Sequence, residues 1–154
     1  MIFLDANYFL RFWTVPNSAA NATRKAIARS LFADIQAGTV EATTSESVLA
    51  EVAHVLTSKR QYNLSAEVAI SYLVRTIRMP GLKFAPGMQR RYLRALEIWS
   101  EHPRLEFVDA LTVAIVENSG HVLATFDRDF DPFDDIEYWR PENGHAGGDA
   151  LPSS

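Results

Sequence analysis

The chain has no cysteine. Disulfides, thiolate nucleophiles, zinc–cysteine centres and thiol redox chemistry are therefore excluded. Long hydrophobic runs are missing too: no stretch reaches the roughly 18 uncharged apolar residues that mark a membrane span. The N-terminal MIFLDANYFLRFW interrupts its apolar residues with Asp5 and Asn7 and has no basic leader, so no secretory signal is expected. With no membrane role indicated, the cytoplasm is the expected location. Positive charge is scarce: 15 Lys and Arg face 19 Asp and Glu, for a net charge of −4. That balance gives no broad basic stripe for a nucleic-acid backbone. A local basic patch or a bound cation can still reverse the field near a site.

Apolar residues make up 47% of the 154 positions, enough for a packed core in one domain. The expected domain covers 1–139. From Arg140 onward the chain is rich in Gly, Pro and Ser, and 140–154 reads as a flexible tail. No internal repeat is visible.

Short apolar runs alternate with helical patterns. MIFL, residues 1–4, reads as a central strand, followed by a short helix or turn in YFLRFW. A helix is expected over about 22–37, capped by Asn21 or Thr23, with Ile27, Leu31 and Ile35 on its apolar face. Residues 39–43 form a second strand candidate. Ser45 or Ser47 opens a helix carrying Val48, Leu49, Val52, Val55 and Leu56, and another covers about 66–77; the two suit an αα-hairpin. Residues 82–85 read as extended, and Pro86 opens a helix over about 87–99. LEFVDALTVAIVENSG reads as a helix with an apolar band of Val108, Leu111, Thr112, Ile115 and Val116. HVLAT and IEYW (136–139) read as strands. Alternation of this kind predicts an α/β fold with a mostly parallel sheet, whose ligands sit beyond the carboxyl ends of the strands.

Four acids interrupt apolar pattern instead of lying in charge runs: Asp5 after MIFL, Glu51 in SVLAEVAHVL, Asp109 in EFVDALTVA and Asp127 after VLATF. An ionised carboxylate near a core is costly unless it is paired or coordinates a metal. A shared hard cation such as Mg²⁺, which takes oxygen ligands, resolves that cost for all four. Structural readings stay open for each. Asp5 suits a helix N-cap, Glu51 a solvated helix face, Asp109 the first turn of its helix, and Asp127 and Asp129 a turn.

Taken together, LDANYFLR, SVLAEVAHVL, FVDALTVAIVENSG and LATFDRDF resemble the signature segments of PIN-domain ribonucleases, most of all VapC-type toxins of toxin–antitoxin pairs. The resemblance covers residues 1–139. It implies a PIN-like three-layer α/β fold, with a mostly parallel central sheet flanked by helices, and a Mg²⁺- or Mn²⁺-dependent endoribonuclease. It places the family's catalytic acids on Asp5, Glu51, Asp109 and Asp127, with Asp5, Asp109 and Asp127 as metal ligands. Supporting roles fall on Asn7, which would hold Asp5 by a side-chain hydrogen bond, on Thr125 and on Asp129. The family's usual hydroxyl after the first acid is replaced by Ala6. Glu46 is an alternative to Glu51. The resemblance also implies a cognate antitoxin, and a homodimer or a toxin–antitoxin hetero-oligomer.

An acidic site needs basic residues beside it to hold RNA. Arg11, Arg90, Arg94 and Arg128 are the candidates, with Arg91 and Lys83 nearby. Arg11 and Arg128 also suit neutralisation of neighbouring acids, and the helix set suits a solvated face. Phe9, Phe12 and Trp13 suit packing better than base stacking. His54 lies near Glu51 but lacks any metal spacing, so a structural role is expected. Two rival functions are a metal-dependent nuclease acting on DNA or structured nucleic acid, and a noncatalytic RNA- or protein-binding module on a PIN-like fold.

Overall fold

The computed structural model describes residues 1–141. The expected tail, 140–154, therefore lies almost wholly outside the described residues. The chain divides into two compact units, Met1–Ala114 and Ile115–Ser154.

In the first unit β1 (Ile2–Phe3) pairs in parallel with β2 (Ala42–Thr43), Ile2 opposite Ala42 and Phe3 opposite Thr43. A parallel bridge from Ala42 to Leu82 extends the ladder, so only one residue of the extended stretch expected at 82–85 joins it. The sheet is parallel, as expected, and shorter than the apolar runs suggested. MIFL was expected to be a central strand, but Ile2 and Phe3 are both exposed and only Leu4 is buried. A four-residue apolar run cannot report how many neighbours a strand has.

Helices make up most of this unit. α1 (Ala6–Trp13) follows β1 directly, and α2 (Ala19–Ala37) packs on it through the Phe9–Phe32 and Phe12–Phe32 ring pairs, with centroids 5.5 and 4.5 Å apart. Ser18, not Asn21 or Thr23, caps α2, accepting a hydrogen bond from the Asn21 amide. The helix starts a turn early because Ala19 and Ala20 favour helix and Ser18 is a good cap. Its buried face is Ala28, Phe32 and Ile35, while Ile27 is exposed. The stripe is thus rotated by about one residue, since α1 offers aromatic rings that receive Phe32 better than a branched aliphatic. Lys25 Nζ donates to the carbonyls of Phe12 and Thr14, satisfying the C-terminal end of α1. Burial, and then the nearby Arg29, lowers the Lys25 pKa.

α3 (Glu46–Thr57) and α4 (Ala66–Ile77) pack on each other as the expected hairpin, with Ser45 and Ser65 as N-caps. α5 (Met88–Glu101) packs on α4 and begins after Gly87, which is left-handed at φ 84°. Gly81 has no room for a side chain: a Cβ there would collide with the Val40 carbonyl oxygen and lie 2.6 Å from that of Ile35. α6 (Phe107–Ser119) runs from the first unit into the second. Val108, assigned to its apolar band, is exposed.

In the second unit the strands expected in HVLAT and IEYW reduce to one parallel bridge between Leu123 and Tyr138. A 3-10 helix, Arg128–Phe130, lies between them. Phe130, Phe133 and Ile136 are buried, and the Tyr138 hydroxyl donates to the carbonyls of Phe130 and Phe133 over 2.6 and 2.9 Å. Among the described residues no helix is long and apolar enough to cross a membrane.

Candidate active site

Asp5 stands where β1 gives way to α1. It occupies the N-cap position with extended backbone (φ −86°, ψ 163°), yet its side chain makes no capping hydrogen bond. The structural reading of this carboxylate as a cap therefore does not hold. The group is exposed, and among the described residues its side chain has no hydrogen bond or ion pair. Beside it, the buried Thr44 hydroxyl donates to the Leu4 carbonyl over 2.9 Å, and the Leu4 amide donates to the Thr43 carbonyl over 2.9 Å. Those bonds fix the end of β1 against the end of β2, one residue before Ser45 caps α3. α1 and α3 thus begin at one carboxyl edge of the sheet. Their N-terminal amides face the side where negative charge is favoured.

Glu51 lies on α3, exposed, with no ion pair or side-chain hydrogen bond among the described residues. His54, one turn further, approaches Glu106 with Nδ1 3.8 Å from Oε1, both side chains being largely exposed. This contact sets the open face of α3 against the approach to α6. Asp109 is in the first turn of α6, and its Oδ2 accepts from the Glu106 amide over 3.2 Å. The expected helix-start role of Asp109 is present and occupies one carboxylate oxygen. Glu46 lies at the start of α3 near Tyr92, whose phenol is raised in pKa first by burial and then by that carboxylate.

Asp127 and Asp129 belong to the second unit. Asp127 Oδ1 accepts from the Asp129 amide over 2.9 Å, and Thr125 Oγ1 accepts from the Asp127 amide over 3.0 Å. Asp127 therefore caps the 3-10 helix with one oxygen, and Thr125 shapes the turn that carries it. Asp129 is the first-turn residue whose amide is satisfied in this way. Arg128 lies 3.7 Å from Asp131 and so neutralises a neighbouring acid.

All these acids are hard oxygen donors, the type that Mg²⁺ and Mn²⁺ take. The donor chemistry fits a divalent cation. Among the described residues, no three His, Asp or Glu side chains are gathered closely enough to hold one.

Asn7 makes no side-chain hydrogen bond to Asp5 among the described residues; it lines a cavity between α1 and α2 with Tyr8, Arg11, Arg24, Ile27 and Ala28. Arg11 approaches the Tyr62 hydroxyl at 3.5 Å. Arg90 and Arg94 lie with Arg78 along a groove between α4 and α5, Arg94 pairing with Glu97 at 3.0 Å. Phe12 and Trp13 pack inward as expected: Trp13 stacks on Tyr72 at 4.4 Å and donates to Thr76 Oγ1 over 3.0 Å. Sequence reasoning missed Thr44, whose hydroxyl looks like any strand-end threonine, and Arg24, which looks like a solvated helix residue. Only the spacing of Arg24, Ile27 and Ala28 along one helix face hinted at a shared wall.

Comparison with known protein families matches the PIN domain model to residues 2–136. A search of curated proteins finds no match. PIN domains are generally nucleases and typically use divalent metal ions.

Proposed function

Because the chain belongs to the PIN domain family, we propose that it is a metal-dependent endoribonuclease and the toxin of a toxin–antitoxin pair. The observation that supports this most is Asp5: an exposed carboxylate at a strand's carboxyl end, in a capping position but not committed to capping. In this reading Asp5, Asp109 and Asp127 would hold Mg²⁺, with Mn²⁺ as a substitute. When bound, such an ion lowers the pKa of water and offsets negative charge on the phosphoryl oxygens.

The chain's own residues supply the rest. Glu51 orients the attacking water and accepts its proton as the water oxygen bonds to phosphorus. The bond from phosphorus to the leaving ribose oxygen breaks in the same displacement. Asp109 and Asp127 each give one oxygen to a backbone amide, which fixes the direction of the other. Thr125 and Asp129 hold the Asp127 turn. RNA backbone contacts fall to arginines, whose rigid forks suit phosphate. Arg90 and Arg94, in the groove between α4 and α5, are among these arginines, and the antitoxin's C-terminal segment would lie across the groove near the α3–α4 hairpin. Homodimer or toxin–antitoxin hetero-oligomer formation, in the cytoplasm, belongs to the same proposal.

A second reading, a noncatalytic RNA- or protein-binding module, is favoured by the lack of a three-carboxylate group among the described residues and by Ala6. One assay separates it from the first. RNA and DNA are incubated with the protein in Mg²⁺, Mn²⁺ or EDTA, beside Asp5→Asn and Asp127→Asn. Cation-dependent RNA cutting lost in both variants is expected. Cutting that survives EDTA sinks the metal mechanism, DNA cutting alone moves the activity to another nuclease class, and no cutting leaves the binding module. Co-expression with a neighbouring reading frame tests the pairing, which fails if neither growth arrest nor a complex appears.

A further inference from the structure

The cavity between α1 and α2 has a composition unlike the acidic residues beside it. Its volume is about 410 Å³, and Asn7, Tyr8, Arg11, Arg24, Ile27 and Ala28 line it. That size lies within the roughly 300–1,000 Å³ common to small-ligand sites. Among the described residues that line it there are two cations and no carboxylate. Asn7, Tyr8 and Arg11 share one face of α1, and Arg24, Ile27 and Ala28 one face of α2, by the i,i+3 and i,i+4 rule. The walls are set by packing below: Phe32 stacks on Phe12 with centroids 4.5 Å apart, and Lys25 ties α2 to the end of α1. Lys25 is thereby occupied, whereas among the described residues Arg24 bonds only the Asn21 side chain, at 3.3 Å, and Arg11 only the Tyr62 hydroxyl.

Tyr8 is 39% exposed and Ile27 53% exposed, so a ring face and an aliphatic surface stand open beside the two guanidiniums. A phosphate needs a fork of donors; a nucleobase needs a flat aromatic face and an apolar edge. An acidic protein side chain would use the arginines but leave the ring and Ile27 uncovered. A metal ion is repelled. The cavity also opens on Asn7, two residues after Asp5.

We propose that this cavity is a subsite for one nucleotide of a single-stranded RNA substrate, with a phosphate between Arg11 and Arg24 and its base against Tyr8 and Ile27. The subsite rests on the endoribonuclease reading and deepens it. It orients a strand whose neighbouring phosphodiester lies toward Asp5. Base preference is expected to be mild, because stacking tolerates every base.

The test uses the isotope-labelled full chain in EDTA, titrated with inorganic phosphate, with uridine and adenosine monophosphates, and with glutarate. Amide and side-chain shifts should centre on residues 7–11 and 24–28. Either mononucleotide should bind about fivefold or more tightly than phosphate, from stacking. Tyr8→Ala should abolish that advantage while leaving phosphate binding in place. Arg24→Gln should weaken phosphate and nucleotide alike by about tenfold. Asp5→Asn should cut no RNA yet bind the mononucleotides normally. With RNA and Mg²⁺, Arg24→Gln should raise the half-saturating RNA concentration with little loss of maximal rate. Shifts mapping elsewhere, equal affinity for phosphate and nucleotides, or an unaffected Tyr8→Ala overturn the subsite. Glutarate binding as tightly as the nucleotides assigns the cavity to an acidic protein instead, and also overturns it. If the wild-type chain binds mononucleotides here but cuts no RNA, the endoribonuclease reading fails by itself.

Discussion

The Thr44 hydroxyl reaches the Leu4 carbonyl across 2.9 Å of buried space, joining the last turn before α3 to the residue before Asp5. Forty residues of sequence separate the partners. Together with the Leu4–Thr43 backbone bond, it places the helix that carries Glu51 and the strand that leads into Asp5 at a common edge.

Replacing Thr44 with Val keeps the volume and removes the donor. The Leu4 carbonyl then lacks that partner in a buried setting, at about 1–3 kcal/mol. Urea unfolding of Thr44→Val should show that loss in its midpoint with the slope unchanged. RNA cutting should fall as well, because Asp5 follows Leu4 directly.

Asp5→Asn should separate stability from activity. The carboxylate makes no capping hydrogen bond, so its loss should change unfolding free energy by no more than about 0.5 kcal/mol. Ser45→Ala, by contrast, removes a cap that accepts the Val48 amide and should cost about 1 kcal/mol. Thermal unfolding checks both. Cleavage should vanish only in Asp5→Asn; a large stability loss there would return the residue to a structural role.

Gly81→Ala should be among the more damaging small substitutions. The new methyl meets two backbone oxygens, of Val40 and Ile35, inside contact distance, and neither is the end of a flexible side chain. Overpacking of this kind costs about 1–3 kcal/mol. A lowered melting temperature and easier proteolysis in 35–42 would report it.

Tyr138 gives the second unit a dependence on alkaline pH. Burial, then Asp131 and Asp134, raise its phenol above the ordinary tyrosine value. The folded state therefore holds this proton more tightly than the unfolded chain. Its stabilising share is complete below pH 10 and is lost as pH rises through the elevated folded value. Ultraviolet titration should show one phenol ionising late, absent in Tyr138→Phe. That variant should also open the second unit more readily in hydrogen exchange, since two carbonyls lose their donor.

His54→Ala is expected to be nearly silent. The pair with Glu106 is long and largely solvated, a class of contact worth about 0–1 kcal/mol. Cleavage within a few-fold of wild type should accompany it; a loss as complete as that of Asp5→Asn would make His54 part of the chemistry.

Helices were the most legible part of this chain. Residues 66–77 carry an apolar stripe, a serine before it and Pro80-Gly81 after it, and α4 has those bounds. α2 shows the limit of such reading. Its period was plain, but whether Ile27 or Ala28 faced inward depended on which rings α1 presented. Strand candidates were legible as apolar runs and not as ladders, because pairing is decided by distant partners. HVLAT accordingly yields one bridge.

For the acids, local sequence determined their types, their junction positions and much of their immediate bonding. The turn at Thr125–Asp129 and the Asp109–Glu106 contact span only a few residues, so their geometry follows from local chemistry. Tertiary structure alone decided that Asp5 leaves its cap unused, that Thr44 binds Leu4, and that Arg11 and Arg24 face one cavity. Each depends on segments brought together by the packing of Phe9, Phe12 and Phe32 and by a parallel ladder. No short window of sequence contains those contacts, because the hydrophobic burial that creates them is non-directional and acts across the whole chain.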